Sequence, residues 1–311
     1  MNYDGVAIEV TEKCPLHCEH CCQNSDLQSE TMNKELSLEY IINKISEDSE
    51  IRYISLTGGE PFLCIESIKS AIKFASEKGM GVSAITSGFW AVDDKKTEDM
   101  ITVLKELGLN LLTISRDEFH SKEVSDENIR RILRYGRLVD LRIDLQISVL
   151  NDTDFGKILN PLRSELASNN IEVYPVFYAG RAQKIDRTKF ICNEKIENQF
   201  CGKGAAYLID CKGNVYPCCS PLGKKTNFKL GNIRDTTSKE IREKLQKNFV
   251  LHILRNYGFD PFVDWANNNN IKLPDRITSS CDLCAMLFTE RNMLKILNDQ
   301  KYIKEKIKEK Y

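Results

Sequence analysis

The sequence predicts an α/β protein in which an open, partial barrel of six βα units is followed by a smaller cysteine-rich domain. Short β-branched runs alternate with longer segments of helical periodicity through the first 180 residues of the 311-residue chain, and this alternation is typical of βα units with a parallel sheet. After Arg181 the alternation stops, and polar residues and cysteines dominate as far as Lys225. We therefore expect two domains, residues 1–185 and 186–311.

The predicted barrel elements follow one another as strand, helix, strand. The six strands are expected at Val6–Val10, Tyr53–Thr57, Gly81–Thr86, Leu111–Ser115, Arg142–Val149 and Glu172–Phe177. The helices between them are expected at Ser37–Glu47, Ile65–Lys78, Thr97–Leu107, Asp126–Tyr135 and Thr153–Ser168. Polar N-caps and C-cap glycines mark several helix ends, at Ser37, Asp126, Gly79, Gly108 and Gly136.

Polar residues alternate with apolar ones in two predicted strands, and successive side chains of a strand point to opposite faces. One polar set is Thr113, Ser115 and Asp117, and the other is Asp144, Gln146 and Ser148. If helices cover the apolar faces, these side chains line a polar lumen that suits a polar ligand. The alternative is that a few buried polar groups satisfy one another locally.

The cysteine-rich domain is expected to contain a β-hairpin and several helices. Ala206–Asp210 and Asn214–Tyr216 flank Cys211-Lys212-Gly213, a turn that contains glycine. Helical periodicity returns over Ser238–Arg255, and a final helix follows Cys281-Asp-Leu-Cys284.

The charge balance argues against two classes of partner. Lys and Arg number 44 against 45 Asp and Glu, which gives a net charge of -1, so the chain lacks the basic field that attracts a nucleic acid backbone. No apolar run approaches the roughly 18 residues of a membrane span, and the N-terminus lacks the features of a signal peptide. We expect a cytoplasmic protein.

Twelve cysteines against four histidines are the unusual feature of the composition. A reducing cytoplasm does not sustain a disulfide framework of that size, which favours metal or redox chemistry. The cluster Cys14-x3-Cys18-x2-Cys21 after the first strand can supply three thiolates to a cubane and leave its fourth iron open, although a structural zinc site is an alternative. Cys22 is expected to point elsewhere, and Cys64 and Cys192 are interpreted as packed thiols.

Two motifs, in this order after the first two strands, resemble those of the radical S-adenosylmethionine (SAM) enzymes. The cysteine loop fits their pattern CxxxCxφC with His20 at the aromatic position, and Gly58-Gly59-Glu60-Pro61 is similar to their GGE motif. The resemblance implies a partial (β/α)6 radical SAM barrel that binds SAM and a [4Fe–4S] cluster. The glycines would let the backbone approach the methionyl group, and Glu60 would accept hydrogen bonds from its ammonium. Further SAM contacts are expected from Ser87, Ser115 and Gln146.

A second set of cysteines resembles the twitch form of the auxiliary-cluster domain. Its spacing is Cys201-x11-Gly213-x4-Cys218, a long gap, and then Cys281-x2-Cys284. The resemblance implies four thiolates around one auxiliary [4Fe–4S] cluster, which favours electron transfer or structural support because no iron is left open. The longer two-cluster form needs further cysteines after Cys284, and the sequence has none there. A zinc site with the same four ligands is the structural alternative.

Motifs along most of the chain are similar to one subgroup, the YydG-type peptide epimerases, which invert residues of ribosomally made peptides. These motifs are Ser87-Gly-Phe-Trp90, Ile114-Ser-Arg-Asp-Glu-Phe-His120, Tyr216-Pro-Cys-Cys-Ser-Pro221, His252-Ile-Leu-Arg255 with Gly258-Phe259, and Ser280-Cys-Asp-Leu-Cys284. The resemblance assigns the role of hydrogen donor to Cys219, the second cysteine of the pair. Gly204-Ala205-Ala206 stands where the family has an acidic residue, so substrate binding is expected to differ.

The cysteine pair can also be interpreted from strand geometry. If Tyr216–Ser220 is extended, Cys218 and Cys219 point to opposite sides, so one can bind iron while the other faces a cavity. Cys211 is a weaker candidate donor, and a spare packed thiol at Cys219 is the alternative.

The implied function is a peptide epimerase that uses SAM and two [4Fe–4S] clusters. A 5′-deoxyadenosyl radical abstracts the Cα hydrogen of an L-residue, Cys219 returns hydrogen from the opposite face, and the auxiliary cluster helps to re-reduce the sulfur. The implied partners are a precursor peptide and an electron donor such as flavodoxin or ferredoxin, without nucleic acid or membrane.

Two alternatives remain at this point. One is a radical SAM enzyme that forms thioether or carbon–carbon crosslinks in a peptide, and the other is a metal-binding protein that never cleaves SAM. Because the first strand begins near residue 6, no N-terminal leader-binding domain is expected.

Overall fold

The computed structural model describes residues 3–32, 36–166, 169–191, 194–201 and 206–310. Its centre is a sheet in which six parallel strands lie side by side in chain order. These are β1 (Gly5–Thr11), β2 (Tyr53–Gly58), β3 (Gly81–Thr86), β4 (Leu111–Ser115), β5 (Arg142–Val149) and β6 (Ile171–Pro175). The predicted α/β class and partial barrel are confirmed, and each predicted strand lies within a few residues of its expected bounds.

Helices connect the strands of the barrel. They are α1 (Leu38–Ile45), α2 (Ile65–Glu77), α3 (Asp94–Glu106), α4 (Asp126–Leu138) and α5 (Phe155–Leu159). The longer helices bury residues spaced three and four apart, which places one apolar face on the sheet. The predicted N-cap Ser37 accepts a hydrogen bond from the Tyr40 N–H, and the predicted C-cap residues Gly79 and Gly108 have positive φ.

Two predicted ends of α4 are wrong. Ser125, rather than Asp126, is the N-cap, and its hydroxyl accepts a hydrogen bond from the Asn128 N–H. Gly136 lies inside α4 instead of after it. A Cβ at this position would lie 2.1 Å from Ile143 Cδ1, so the absence of a side chain lets α4 pack closely on β5.

The predicted helix Thr153–Ser168 is wrong in its length. The helix α5 ends at Leu159, and Asn160–Leu162 continues as a single 3-10 turn that contains Pro161. Proline lacks the N–H that a helix interior uses, and its ring crowds the preceding turn, so the α-helix does not continue. The predicted end, Ser168, lies outside the described residues.

The cysteine-rich part extends the sheet of the barrel. It contributes β7 (Glu194–Lys195), β8 (Ala206–Ile209), β9 (Asn214–Tyr216), β10 (Gly231–Asn232) and β11 (Arg276–Ile277). Strand β8 pairs in parallel with β1, and β9 and β10 follow as antiparallel strands, so the described residues form one nine-stranded sheet beside the small β7–β11 pair. The predicted hairpin is confirmed, because Leu208 pairs with Tyr216 and Gly213 has a φ of 84° in the turn. Gly204 and Ala205 lie outside the described residues, and the domain boundary near residue 185 stays a prediction.

The C-terminal third of the chain is helical. Its helices are α6 (Ser238–Lys247), α7 (Phe249–Asn256), α8 (Asp260–Asn268), α9 (Ser280–Leu287), α10 (Glu290–Asn298) and α11 (Gln300–Lys310). The predicted single helix Ser238–Arg255 is divided at Asn248, whose ψ of 113° is not helical and whose side chain caps α7 by accepting from the Leu251 N–H. The predicted final helix is likewise divided, at Asp299.

Buried apolar side chains from both parts of the chain form one large core. Cys64 packs partly buried against it, as predicted, whereas Cys192 lies outside the described residues. Within the ranges that the structure describes, no helix combines the length and hydropathy that crossing a membrane requires.

Candidate active site

The cysteine loop, Cys14–Cys21, follows β1 at the carboxyl end of the parallel strands. The Leu16 N–H donates to Cys14 Sγ at 3.4 Å, and the Cys21 N–H donates to the Cys18 C=O at 3.2 Å. Burial, together with the nearby charges of Glu60 and the other two cysteines, raises the pKa of Cys14 to about 12. Such thiols ionise together when a metal centre offsets their charge. The loop therefore fits an iron–sulfur cluster with three protein ligands.

Arg181 fastens the cysteine loop to the segment after β6. Its Nε donates to the Cys18 C=O at 3.0 Å, its Nη1 donates to the Ser25 C=O at 2.7 Å, and its backbone N–H donates to the Cys21 C=O at 2.9 Å. The preceding Gly180 has a φ of 56°, and a Cβ there would lie 2.4 Å from the Cys21 carbonyl oxygen. The loop is thus held in place before any ligand binds, as a metal site requires.

Gly58 and Gly59 pack against the backbone that leads into the cysteine loop. The Gly59 N–H donates to the Thr11 C=O and the Glu60 N–H donates to the Lys13 C=O, both at 2.7 Å. A Cβ on Gly58 would lie 2.2 Å from the Thr11 oxygen, and one on Gly59 would lie 2.4 Å from the Lys13 oxygen. The close contact between these two chain segments therefore requires glycine at positions 58 and 59, whether or not the methionyl group of SAM also lies there.

Glu60 is engaged in hydrogen bonds within the protein itself. Its side chain is buried, and its carboxylate accepts four hydrogen bonds: at Oε1 from the Phe62 N–H (3.1 Å) and the Thr86 hydroxyl (2.7 Å), and at Oε2 from the N–H (2.8 Å) and hydroxyl (2.6 Å) of Ser87. The lone-pair positions of a carboxylate are then occupied. Glu60 thus joins the turn that Pro61 begins to the end of β3, and its expected hydrogen bond from the ammonium of SAM stays a prediction.

The other expected SAM contacts lie at the ends of β3, β4 and β5. The Ser87 hydroxyl follows β3 and is already engaged with Glu60. Ser115 and Gln146 are partly exposed neighbours on β4 and β5. Ligands of open α/β sheets bind outside the carboxyl ends of the strands, so the position suits a cofactor. These contacts stay predictions.

Two histidines and an aspartate line the cysteine loop. His120 Nδ1 lies 2.9 Å from both carboxylate oxygens of Asp117, and His20 Nε2 lies 3.6 Å from Asp117 Oδ2. Burial lowers the pKa of His20 to about 4. Burial also lowers the pKa of His120, but Asp117 outweighs it and raises this pKa to about 10. The ligand atoms of Cys18, His20 and His120 lie within 4.8 Å of one another, so both rings border the expected cluster.

The four auxiliary cysteines are brought together. Cys281 and Cys284 lie on one face of α9, and both are close enough to Cys201 and Cys218 for the four thiols to influence one another's ionisation. Burial raises the pKa of Cys218 to about 12 and that of Cys284 well above its usual value, and the neighbouring thiols add to this. Gly223 leaves room for the set, since a Cβ there would lie 2.9 Å from Cys218 Sγ. Four partly buried thiols near one another fit a closed metal cluster.

Cys218 and Cys219 lie in different surroundings, although β9 ends at Tyr216 and the two cysteines follow it outside the strand, with Cys218 in a bend. Cys218 lies among the auxiliary cysteines, whereas Cys219 is exposed. Burial raises the pKa of Tyr174 to about 12, and the charges of Glu172 and Cys219 raise it as well. The Tyr174 hydroxyl donates to Glu172 Oε2 at 2.8 Å, so both side chains share one face of β6. Cys219 is thus an exposed thiol whose charge affects Tyr174 of β6.

Two further cysteines are poorly placed for chemistry. Cys211 is 3% exposed, and burial, with Glu12 and Glu9 beside it, raises its pKa to about 12. Lys224 already occupies the space between those carboxylates, at 2.8 to 3.0 Å from their oxygens. Burial likewise raises the pKa of Cys22 to about 12. Both thiols suit packing better than hydrogen donation.

Sequence reasoning missed His120, Arg181 and Lys224. His120 is the last residue of the motif that begins at Ile114. Its spacing of three residues from Asp117 is a local signal that could have identified the pair. Arg181 and Lys224 gave no such signal, because they contact residues 163 and 215 positions away.

Comparison with known proteins agrees with this architecture. The radical SAM superfamily model matches residues 8–145, and the SPASM model, an iron–sulfur cluster-binding domain, matches residues 201–285. The putative peptide biosynthesis protein YydG of Bacillus subtilis (strain 168) is 29% identical over 315 residues, which cover 97% of this chain and 98% of that protein.

Solved structures share the fold. The structure of anSMEcpe with bound AdoMet and a Cp18Cys peptide has a TM-score of 0.59 at 17% identity and covers 82% of this chain and 83% of its own. BtrN in complex with AdoMet and 2-DOIA has a TM-score of 0.55 at 16% identity and covers 81% and 87%. Domains of the two matched families bind SAM with a [4Fe–4S] cluster and auxiliary iron–sulfur clusters, respectively, and the two cysteine sets fit these cofactors. The chain therefore carries a radical SAM domain over residues 8–145 and a SPASM iron–sulfur cluster-binding domain over residues 201–285.

Proposed function

We propose that this protein is a radical SAM epimerase that converts L-residues of a ribosomally made precursor peptide into D-residues. The position of Cys219 carries the proposal. Its thiol is exposed near β6, while the adjacent Cys218 points into the auxiliary cysteine set. Similarity over nearly the whole chain to a protein described as acting in peptide biosynthesis supports a peptide substrate.

The residues on the open side of the barrel suit a one-hydrogen transfer. When bound, SAM and its cluster supply a 5′-deoxyadenosyl radical that removes the Cα hydrogen of an L-residue. Cys219 then gives the hydrogen atom of its S–H bond to the other face of the planar α-carbon, so a Cα–H bond forms as the S–H bond breaks. An electron from a donor of the flavodoxin or ferredoxin class, and a proton from solvent, restore the thiol.

An anaerobic reaction in deuterated water tests this proposal. The purified protein is incubated with SAM, a reductant and the precursor peptide encoded beside its gene. Each inverted residue should gain one deuterium, about one mass unit, because a thiol hydrogen exchanges with solvent. A loss of two hydrogens, which indicates a crosslink, would overturn the proposal.

Two cysteine variants isolate the donor. Cys219→Ala should still form 5′-deoxyadenosine but only a trace of D-residues. Cys211→Ala is the matched control, and it should form D-residues at the wild-type rate. If Cys219→Ala makes D-residues normally, the donor is another group.

A further inference from the structure

One side of β6 pairs with β5, and two hydrogen bonds at its ends show which residues take part. The Leu145 N–H donates to the Asn170 C=O at 2.9 Å, and the Val176 N–H donates to the Val149 C=O at 3.1 Å. In a parallel pair, residues whose main-chain groups face the neighbour alternate with residues whose groups face away. The even-numbered positions of β6 therefore face β5, and the odd-numbered positions face outward.

The odd-numbered residues of β6 are Ile171, Val173 and Pro175. Among the described strands, none pairs with β6 on this side. Pro175 has no N–H to donate, which suits an edge and would not suit a central strand. Ile171 and Val173 present both N–H and C=O groups there, and the two residues are 40% and 48% exposed. A strand edge of this kind is a template for pairing with another extended chain.

A groove lined by both polar and apolar residues lies beside this edge. Its volume is about 730 Å³, and its lining includes Val173, Phe155, Ile191 and Arg187. Phe155 and Ile191 are both more than two-fifths exposed. When a peptide adds to a sheet edge, its main-chain bonds supply affinity and pockets for alternate side chains supply specificity. The groove can receive one set of those side chains.

The other face of β6 borders the candidate active site. Glu172 and Tyr174 share that face, and Glu172 lies beside Gln146 of β5, an expected SAM contact. A strand added to the edge of β6 therefore adjoins the strands that are expected to hold SAM. An extended backbone also holds each Cα hydrogen in a fixed direction, which a stereospecific transfer requires.

We propose that the substrate peptide binds as an additional strand on the edge of β6, held by main-chain hydrogen bonds to Ile171 and Val173. This inference rests on the proposed function for the identity of the peptide. The position of the edge beside the strands that are expected to hold SAM favours the substrate over a second copy of the chain. Recognition then depends on an extended backbone and on apolar side chains at every second position, and less on the side chain that is inverted.

Peptide binding can be measured without any chemistry, by fluorescence anisotropy with the fluorescein-labelled precursor peptide encoded beside the gene. A series of peptides, each N-methylated at one amide, should lose affinity at every second position of the bound segment, by about three- to tenfold per lost hydrogen bond. Equal tolerance at all positions would overturn the proposal. Wild-type protein serves throughout, so no variant needs to fold.

A pair of variants at one position gives the matching test on the protein. Val173→Pro removes an outward N–H without removing a bond to β5, and Val173→Ala keeps the N–H. The proline variant should bind the labelled peptide about three- to tenfold more weakly, and the alanine variant should be affected less. Iron content and melting temperature establish that both variants fold.

The outcomes separate this inference from the function it rests on. A folded Val173→Pro protein that binds like wild type would overturn it, and so would a wild-type dimer that the proline substitution dissociates. If N-methylation acts with a period of two but the product contains crosslinks, the mode of binding stands and the epimerase assignment fails.

Discussion

Lys224 and Glu9 form an ion pair that joins the loop carrying Cys219 to the first strand of the barrel. Lys224 Nζ lies 2.9 and 2.8 Å from the two oxygens of Glu9 and 3.0 Å from Glu12 Oε1. Burial raises the pKa of Glu9, while the positive charge of Lys224 opposes that rise. Lys224 therefore stabilises the charged form of Glu9. The ion pair also holds the turn that contains Lys224 against β1.

Lys224→Met should destabilise the protein by about 3 kcal/mol, because it leaves the buried Glu9 carboxylate without its cation. The value is at the low end for a buried pair because the Lys224 side chain keeps some exposure. Lys225→Met, in the same turn but exposed, is the control and should change the free energy of unfolding little. Denaturant unfolding measures both.

A second substitution checks the cause. Adding Glu9→Gln to Lys224→Met should recover part of the lost stability, since it removes the unpaired charge. Equal stability of the two lysine variants would show that the pair contributes nothing.

Glu60→Ala should weaken SAM binding and also destabilise the protein without SAM. The substitution leaves buried donors of Phe62, Thr86 and Ser87 without their acceptor, and each such group costs about 1–3 kcal/mol. Titration calorimetry measures SAM affinity, and denaturant unfolding measures stability. Weaker SAM binding at unchanged stability would instead indicate a direct contact between Glu60 and SAM.

The two cysteine sets should account for all the iron. Reconstituted wild-type protein should hold about eight irons per chain, and Cys14/Cys18/Cys21→Ala should hold about four, by the count of one cubane per set. Cys64→Ala, outside both sets, is the control and should keep about eight. Metal analysis checks this, and zinc in the second site or unchanged iron in the triple variant would contradict it.

Iodoacetamide should modify Cys219 but leave Cys211 largely unmodified at about pH 7 and still at about pH 9. Thiolates react and thiols do not, and burial raises the pKa of Cys211 to about 12, so its reactive form stays scarce until the pH approaches that value. Cys219 is exposed. Peptide mapping by mass spectrometry measures both sites. Rapid alkylation of Cys211 at neutral pH would make it a donor candidate again.

The parts of this fold that depend on local patterns could be predicted. Arg142–Val149 was expected as a strand with the bounds it has, because a β-branched run bounded by turns needs no distant information. Strand alternation does not account for the different surroundings of Cys218 and Cys219, because β9 ends at Tyr216. The predicted helix that included Pro161 failed locally, because its apolar periodicity was given more weight than the proline, and the breaks at Asn248 and Asp299 were missed as well.

The parts that depend on distant contacts could not be predicted. Glu60 was expected to bind a ligand, but the groups that occupy its carboxylate come from Thr86 and Ser87 after the next strand. Ion pairing between Lys224 and Glu9 is of the same kind, since its partners are 215 positions apart. No spacing rule links such residues, because their proximity arises from the topology of the sheet.

The pairing of β8 with β1 makes folding depend on both halves of the chain. The outer edge of Gly5–Ile8 is completed only by Ala206–Ile209, which leaves the ribosome about 200 residues later. Contacts of such long sequence separation form slowly, because a large loop must close first. Until then an apolar strand stays open to other nascent chains. A circular permutation that reduces the sequence separation between the two segments would shorten this interval. It would also shorten the time during which newly made protein can aggregate.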